Sequence, residues 1–451
     1  METKEFVFSN EYSAEGFRYW FENDETVNNR SPHTSEQFFG NDNTDEDNIM
    51  FLIENNELSQ IASLGAVDMP TPFRSFKGKE VKSMNFPYFV EGWHSVQSEA
   101  RHIANILRNS NGSPSQTAIM REVVALYKRT DKIVEGMVDV AEVMRMNMLQ
   151  NGMFLLQNAE QYGANLVDLY NYDVDGTWNR DHTEVLVGTN VWSDTTNSDP
   201  IADLIRIDRK MQSNGSRLTA IMGNRTTIDY MFQNQKVKNY TPFSVITSGT
   251  YILGQTDVER IIESRLGHSV RIIVNEEMYR GWDGNLHNYM QPNRVILIGG
   301  DSLGTTWNGR TYEEDSNLVN GGNGYTTQTR LANGIVISDY FKKDPDEKVF
   351  RVSRAVIPSF EGMNKVYNLI WIDDQTQYTI TYNENGGAGI TPHPQGVNKT
   401  EAMGYVMPGQ ALNKNGKKFI KWNTNAGGTG TDITPSYVPT GDTTVYAIYE
   451  A

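Results

Sequence analysis

From Ser198 to Asn234 the apolar positions change period twice. Ile201, Leu204, Ile205, Ile207 and Met211 recur three and four residues apart, which is one face of a helix. Pro200 suits the first helical position, where its missing N–H would have been unpaired anyway. Ser198 or Asp199 then supplies the N-cap oxygen, and Asn214-Gly215 provides an end that tolerates positive φ. Leu218 to Met222 is a continuous apolar run between turn residues, so it predicts a buried strand. Gly223-Asn224 breaks that run, and a second helix follows. The stretch as a whole predicts a compact α/β layer.

Outside it the patterns are more extended. Ile133, Val134, Met137, Val138, Ala141, Met144, Met148 and Leu149 predict a long helix over 130–157. Its methionines read as adaptable core filling. Residues 69–120 carry turn punctuation and strand-like aromatics (Phe86, Tyr88, Phe89, Trp93) but little apolar mass. They predict a ribbon that packs on another surface, with Asn109 to Pro114 as a loop. A short amphipathic helix is expected over 50–64, and a strand at 185–187. Val245-Ile246, a helix at 256–266, and strands at 270–274 and 294–298 follow, then 331–341, 348–358 and 367–372. After Gln377 the alternation of Tyr378, Ile380 and Tyr382, and of Val445, Ala447 and Tyr449, predicts strands opening and closing a small β unit.

Composition narrows the class. The 451 residues suffice for two or three domains. There is no cysteine, which removes disulfides, zinc thiolates and thiol nucleophiles. No apolar run is long enough to span a bilayer, and the N-terminus lacks the pattern of a secretory signal. The net charge of −16 argues against a nucleic-acid grip. The charge is uneven: residues 1–60 hold 14 acidic and 3 basic residues, whereas 71–130 hold 9 basic and 4 acidic. Both stretches read as solvated faces. The sharper reading lays the acidic arm of one subunit on the basic segment of a neighbour, an assembly that salt would weaken.

The search for chemistry is negative. There is no phosphate-binding loop and no dinucleotide fingerprint. The seven histidines (33, 94, 102, 182, 268, 287, 393) include no pair at helical ligand spacing, so no metal and no cofactor is expected. Gly300-Asp301-Ser302-Leu303-Gly304 follows an apolar run with nucleophile-elbow spacing and resembles the GDSL esterase block. That block lies near the start of those enzymes, with an Asp-x-x-His near the end. Here no Asp-x-x-His follows, and a serine without a base is a poor nucleophile. The motif is read as a turn, and no catalytic, cofactor-binding or metal residue is expected.

The order of local words carries a resemblance. NFPYFVEG lies in the ribbon and MLQNGMF near the end of the long helix. The SDP-initiated helix, IMG in a strand, PNRVILIG before a loop and RAVIP in a late strand follow in turn. Residues 70–372 thereby resemble the major capsid protein E family of lambda-like tailed phages. The resemblance implies an α+β chain of the Hong Kong 97-type capsid fold and no enzyme activity. It also implies an N-terminal arm at 1–65 and an E-loop at 66–125. A peripheral domain would comprise 126–190 and 336–375, with a spine helix at 130–157, and an axial domain 191–335. The expected product is a major head protein that assembles with itself as hexamers and pentamers into an icosahedral virion capsid. It would form in the host cytoplasm and enclose DNA without sequence-specific binding or membrane contact. With no helical prefix visible before the arm, a separate scaffold protein is expected, together with a portal and a decoration protein.

Residues 376–451 differ in kind, with 5 acidic and 5 basic residues. ITYNENGG, KKFIKWNT with its glycine-rich tail, and TTVYAIY resemble the Listeria–Bacteroides, or internalin B, repeat. This small β-grasp-like module would sit outside the shell as a built-in decoration, or make weak host-surface or glycan contacts. Two alternatives stand beside this reading: an encapsulin-like compartment shell, and a bacterial surface adhesion protein.

Overall fold

Asp199 caps the helix Pro200–Ser213, accepting a hydrogen bond from the Ala202 N–H at 3.1 Å, with Pro200 at the first helical position. The structure is a computed structural model that describes residues 14, 18, 32–53, 80–95, 116–157, 167–240, 253–282, 284–315, 327–343, 346–372 and 376–450. The apolar pair Val245-Ile246, the loop expected at Asn109–Pro114, most of the arm and much of the ribbon lie outside the described residues. The fold is mixed α+β. The chain forms two compact units, 1–51 with 83–143 and 304–359, and 52–82 with 144–303 and 360–451.

The second unit is built on a five-stranded sheet. Its order is Thr183–Val185, Val366–Ile370, Arg294–Ile298, Ala220–Gly223, Arg271–Val274. Both end pairs are parallel and the two central pairs antiparallel. All five residues of Arg294–Ile298 are buried, as an apolar run at the centre of a two-sided sheet requires. Ile201, Leu204, Ile207 and Met211 pack with Val258, Ile261 and Ile262 of the helix Gln255–Leu266 onto Ile221, Val295, Leu297 and Leu369. The helix Arg225–Gln233 follows the strand, capped by Asn224, whose side chain accepts from the Thr227 N–H at 2.8 Å.

The long helix runs from Gln116 to Asn151, 36 residues or about 54 Å. It begins earlier and ends earlier than the apolar period predicts. Gly152 stops it: its φ is +69°, and a Cβ there would stand 3.0 Å from the Trp178 ring. Met153–Gln157 is therefore a strand, paired with Val167–Asn171. A second correction concerns the helix expected from residue 50. Asn48–Ile53 is a strand in which Ile49, Phe51 and Ile53 are buried and Met50 and Leu52 exposed. Six residues of alternating burial fit a strand better than a short helix. It pairs with Glu80–Asn85.

The first unit holds a six-stranded sheet. Asp346–Pro358 lies at its centre, antiparallel to Val336–Lys343, to Tyr88–Ser95 and to Gly304–Asn308. Thr327–Arg330 extends one edge, and Phe39–Asn43 runs parallel to Gly304–Asn308 at the other. Val134 and Met137 of the long helix cover Ile335, Ile337, Phe350 and Val352, together with Ala14.

Residues 377–449 form another five-stranded sheet, ordered Gln395–Asn398, Gln377–Asn383, Thr443–Tyr449, Lys417–Asn423, Asn413–Lys414. Tyr382, Trp422, Val445, Ala447, Met403 and Leu412 fill its core, and Met153 belongs to the same cluster.

Candidate functional site

The functional candidates are polar anchors that fix long elements, and exposed apolar side chains on strands. Within the first unit, Arg354 is buried in the central strand. Its Nη1 donates to the Met137 carbonyl in the long helix at 2.8 Å, and its Nη2 to Asn308 Oδ1 at 3.0 Å. One guanidinium thus joins helix, central strand and neighbouring strand. Glu313 is also buried. It accepts from the Tyr88 hydroxyl at 2.6 Å and the Ser353 hydroxyl at 2.8 Å, and it pairs with Arg351 at 2.6 Å. Burial first, then the Glu313 hydrogen bond, push the Tyr88 phenol well above its ordinary range.

Within the second unit, Arg294 is fully enclosed. Its Nη1 donates to the Gln150 carbonyl and to Asn151 Oδ1 at 2.9 Å, the last residues of the long helix. Tyr405 of the C-terminal sheet domain bonds to the same guanidinium. Burial lowers the Arg294 pKa and raises that of Tyr405, each partly opposed by the other. Pro408 and Ile390 lie beside Gly176, and His393 Nε2 is 3.3 Å from the Arg180 carbonyl. The C-terminal domain is therefore seated against the unit's own residues rather than joined only through its linker.

The Gly300–Gly304 motif is a tight turn. Gly300 N–H donates to Thr219 Oγ1 at 3.0 Å, and Gly299 N–H to the Lys365 carbonyl at 2.8 Å. A Cβ on Gly299 would stand 3.0 Å from the Arg217 carbonyl, which explains the glycine there. Ser302 and Asp301 are exposed. His182 is sandwiched between Trp178 and Tyr367, and His268 bonds to the carbonyls of Leu218 and Leu266. Among the described residues, no group of three or more His, Asp or Glu is placed to hold a metal ion. No described helix is long and apolar enough to cross a membrane.

Exposed apolar side chains cluster on strands. Met50 and Leu52 share one face of their strand, and Val81 is exposed on the strand paired with it. Met278 and Leu286 are exposed on the hairpin Met278–Arg280 with Leu286–Asn288. Tyr312 and Phe341 are likewise exposed. Of the ribbon expected within 69–120, Glu80–Asn85 pairs instead with Asn48–Ile53, and Tyr88–Ser95 joins the central strand of the first unit's sheet; Arg294, Arg354 and Glu313 were not singled out from the sequence. The available signal was a charged residue at the head of an otherwise apolar strand, as in Arg294 before Val295-Ile296-Leu297-Ile298.

Two family models match the sequence. The one described as phage major capsid protein E covers residues 25–337. The one described as the Listeria-Bacteroides repeat domain covers 378–448. No curated protein matches. Similar solved structures include the putative capsid protein of a prophage of E. coli CFT073, at 12% identity, covering 80% of this chain and 98% of that one, with a TM-score of 0.47. A phage-related protein from Bordetella bronchiseptica RB50 has 13% identity, 74% and 90% coverage and a TM-score of 0.41. The capsid asymmetric unit of cyanophage A-1(L) has 12% identity, 77% and 98% coverage and a TM-score of 0.39.

Proposed function

The chain belongs to the phage major capsid protein E family and is a head-shell protein of the virion; from that premise we propose how its parts act. Copies assemble as hexamers and pentamers into the icosahedral head of a tailed phage, in the Hong Kong 97-type arrangement, with no catalytic step. Residues 1–65 act as the arm and 66–125 as the E-loop, both laid on neighbouring subunits. Residues 126–190 with 336–375 form the peripheral domain, and 191–335 the axial domain. Residues 376–451 act as an exposed decoration that makes weak host-surface or glycan contacts. A scaffold protein directs assembly, and a portal and a decoration protein complete the head.

The observation that carries this reading is the family match over 25–337, which spans the long helix and four of the five strands of the second unit's sheet, all but Val366–Ile370. The exposed Met50, Leu52 and Val81 support it. Apolar side chains grouped on a two-stranded ribbon gain stability when another copy covers them. The net charge of −16 suits a wall that contains DNA without adhering to it.

Electron microscopy of the purified protein tests the proposal. Closed icosahedral shells carrying one small knob per subunit are expected. A chain that stays monomeric across protein concentration, salt and pH, with and without a co-expressed scaffold, would contradict it.

A further inference from the structure

In the first unit a lysine and an aspartate face each other inside the protein. Lys348 on the strand Asp346–Pro358 and Asp339 on Val336–Lys343 stand on the same face of the sheet, Lys348 lying opposite Phe341, two residues along from Asp339. The Asp339 side chain is fully buried and that of Lys348 nearly so. Lys348 Nζ lies 3.2 Å from Asp339 Oδ2, yet Oδ2 makes no hydrogen bond of ordinary geometry. The other oxygen, Oδ1, accepts two: from the Ala14 N–H at 3.1 Å and from the Thr327 hydroxyl. The Phe341 and Phe350 rings lie 5.5 and 5.1 Å from Nζ, and Phe350 is itself stacked on Trp93.

We propose that the Lys348 amine and the Asp339 carboxyl condense into an isopeptide bond joining these two strands. The amine is held beside a carboxyl that has one oxygen gripped by two donors and the other free to leave. In the step, a proton passes from the ammonium to Oδ2, and the neutral amine attacks Cγ. The negative charge that develops on Oδ1 is met by the Ala14 N–H and the Thr327 hydroxyl, a two-donor oxyanion site. The Cγ–Oδ2 bond then breaks, and Oδ2 departs as water with two of the three ammonium protons. The third stays on the amide nitrogen. Charge and atoms balance with no co-reactant.

Three features favour this fate over a permanent ion pair. Two buried charges are costly to desolvate, and a neutral amide removes both. Fixed strands hold the reacting groups together, so the encounter entropy is met by folding. Burial pulls the Lys348 ammonium down, against the opposing pull of Asp339, which brings the nucleophilic neutral amine within reach. The bond would tie the central strand to its neighbour beneath the contact of the arm at Ala14. Its place is within one subunit.

Intact-mass spectrometry of the full chain, unassembled and in shells, reads the outcome directly. The expected mass is one water below that of the sequence in at least one of these states. Tryptic digestion should leave Lys348 uncleaved and yield a branched peptide linking residues 339 and 348. Lys348→Arg, which keeps the charge but cannot form the bond, should restore the full mass. A full mass in both states with cleavage after Lys348, or a water loss that maps elsewhere, would overturn the proposal and leave an ordinary buried ion pair.

Discussion

Arg294 Nη1 and Asn151 Oδ1 are 2.9 Å apart, so a strand of the central sheet holds the final residue of the long helix. The helix C-terminus carries unpaired carbonyls and a partial negative charge, and a guanidinium there answers both. Because Tyr405 bonds the same guanidinium, the C-terminal domain is coupled to the helix end through one side chain. Tyr405→Phe should remove that link while keeping the ring. The expected cost is about 1–3 kcal/mol, that of leaving a buried charged donor underpaired. Chemical denaturation should show it, and hydrogen exchange should quicken over residues 144–151. Unchanged exchange there would mean the domain does not support the helix.

Gly334 is a second point of leverage. Its φ is +77°, and an added Cβ would sit 2.4 Å from the Asn308 Cβ. Asn308 in turn holds Arg354. Gly334→Ala therefore combines left-handed strain with displacement of an anchor. A loss of roughly 1–3 kcal/mol is expected from the backbone alone, with more if Arg354 is released. The denaturation midpoint measures it, and Asn308→Ala should be non-additive with it.

Leu204 is completely buried in the cluster between the helices and the five-stranded sheet. Leu204→Ala should destabilise the second unit by about 2–5 kcal/mol through lost transfer energy and a residual cavity. Thermal unfolding of the unassembled chain reports this. A shift near zero would mean the helix is not seated as described.

His182 makes stability depend on pH. Burial lowers its pKa from 6.5 to about 4. As pH falls below 6.5, the unfolded imidazole takes a proton that the folded one refuses until about pH 4. Stability contributed by the neutral buried ring is thus present above pH 6.5 and lost progressively down to about pH 4. The full span corresponds to roughly 3 kcal/mol. His182→Phe keeps the ring between Trp178 and Tyr367 but cannot titrate. The wild-type unfolding energy should fall relative to that of the variant from pH 7 to pH 4.5; parallel profiles would exclude this role.

Much was legible in the residues themselves, because periodicity and turn chemistry act locally. The helix from Pro200, its cap at Asp199 and the apolar strand from Arg294 follow from spacing and side-chain type alone. So does the neutral β unit after Gln377, whose alternation of buried Ile380, Tyr382, Val445 and Ala447 is visible in sequence. Tertiary packing decided the rest. The long helix stops at Asn151 because Gly152 must take positive φ against the Trp178 ring, a contact the methionine-rich period could not show. Asn48–Ile53 is a strand because a partner segment pairs with it, whereas its sequence fits either period over so short a run. Arg294 and Arg354 lie far in sequence from the groups they meet, and Lys348 meets its carboxylate only across a strand pair. A lone charge in an apolar strand says that a partner exists, but only the fold determines whether that partner is a helix end, an asparagine or a carboxylate.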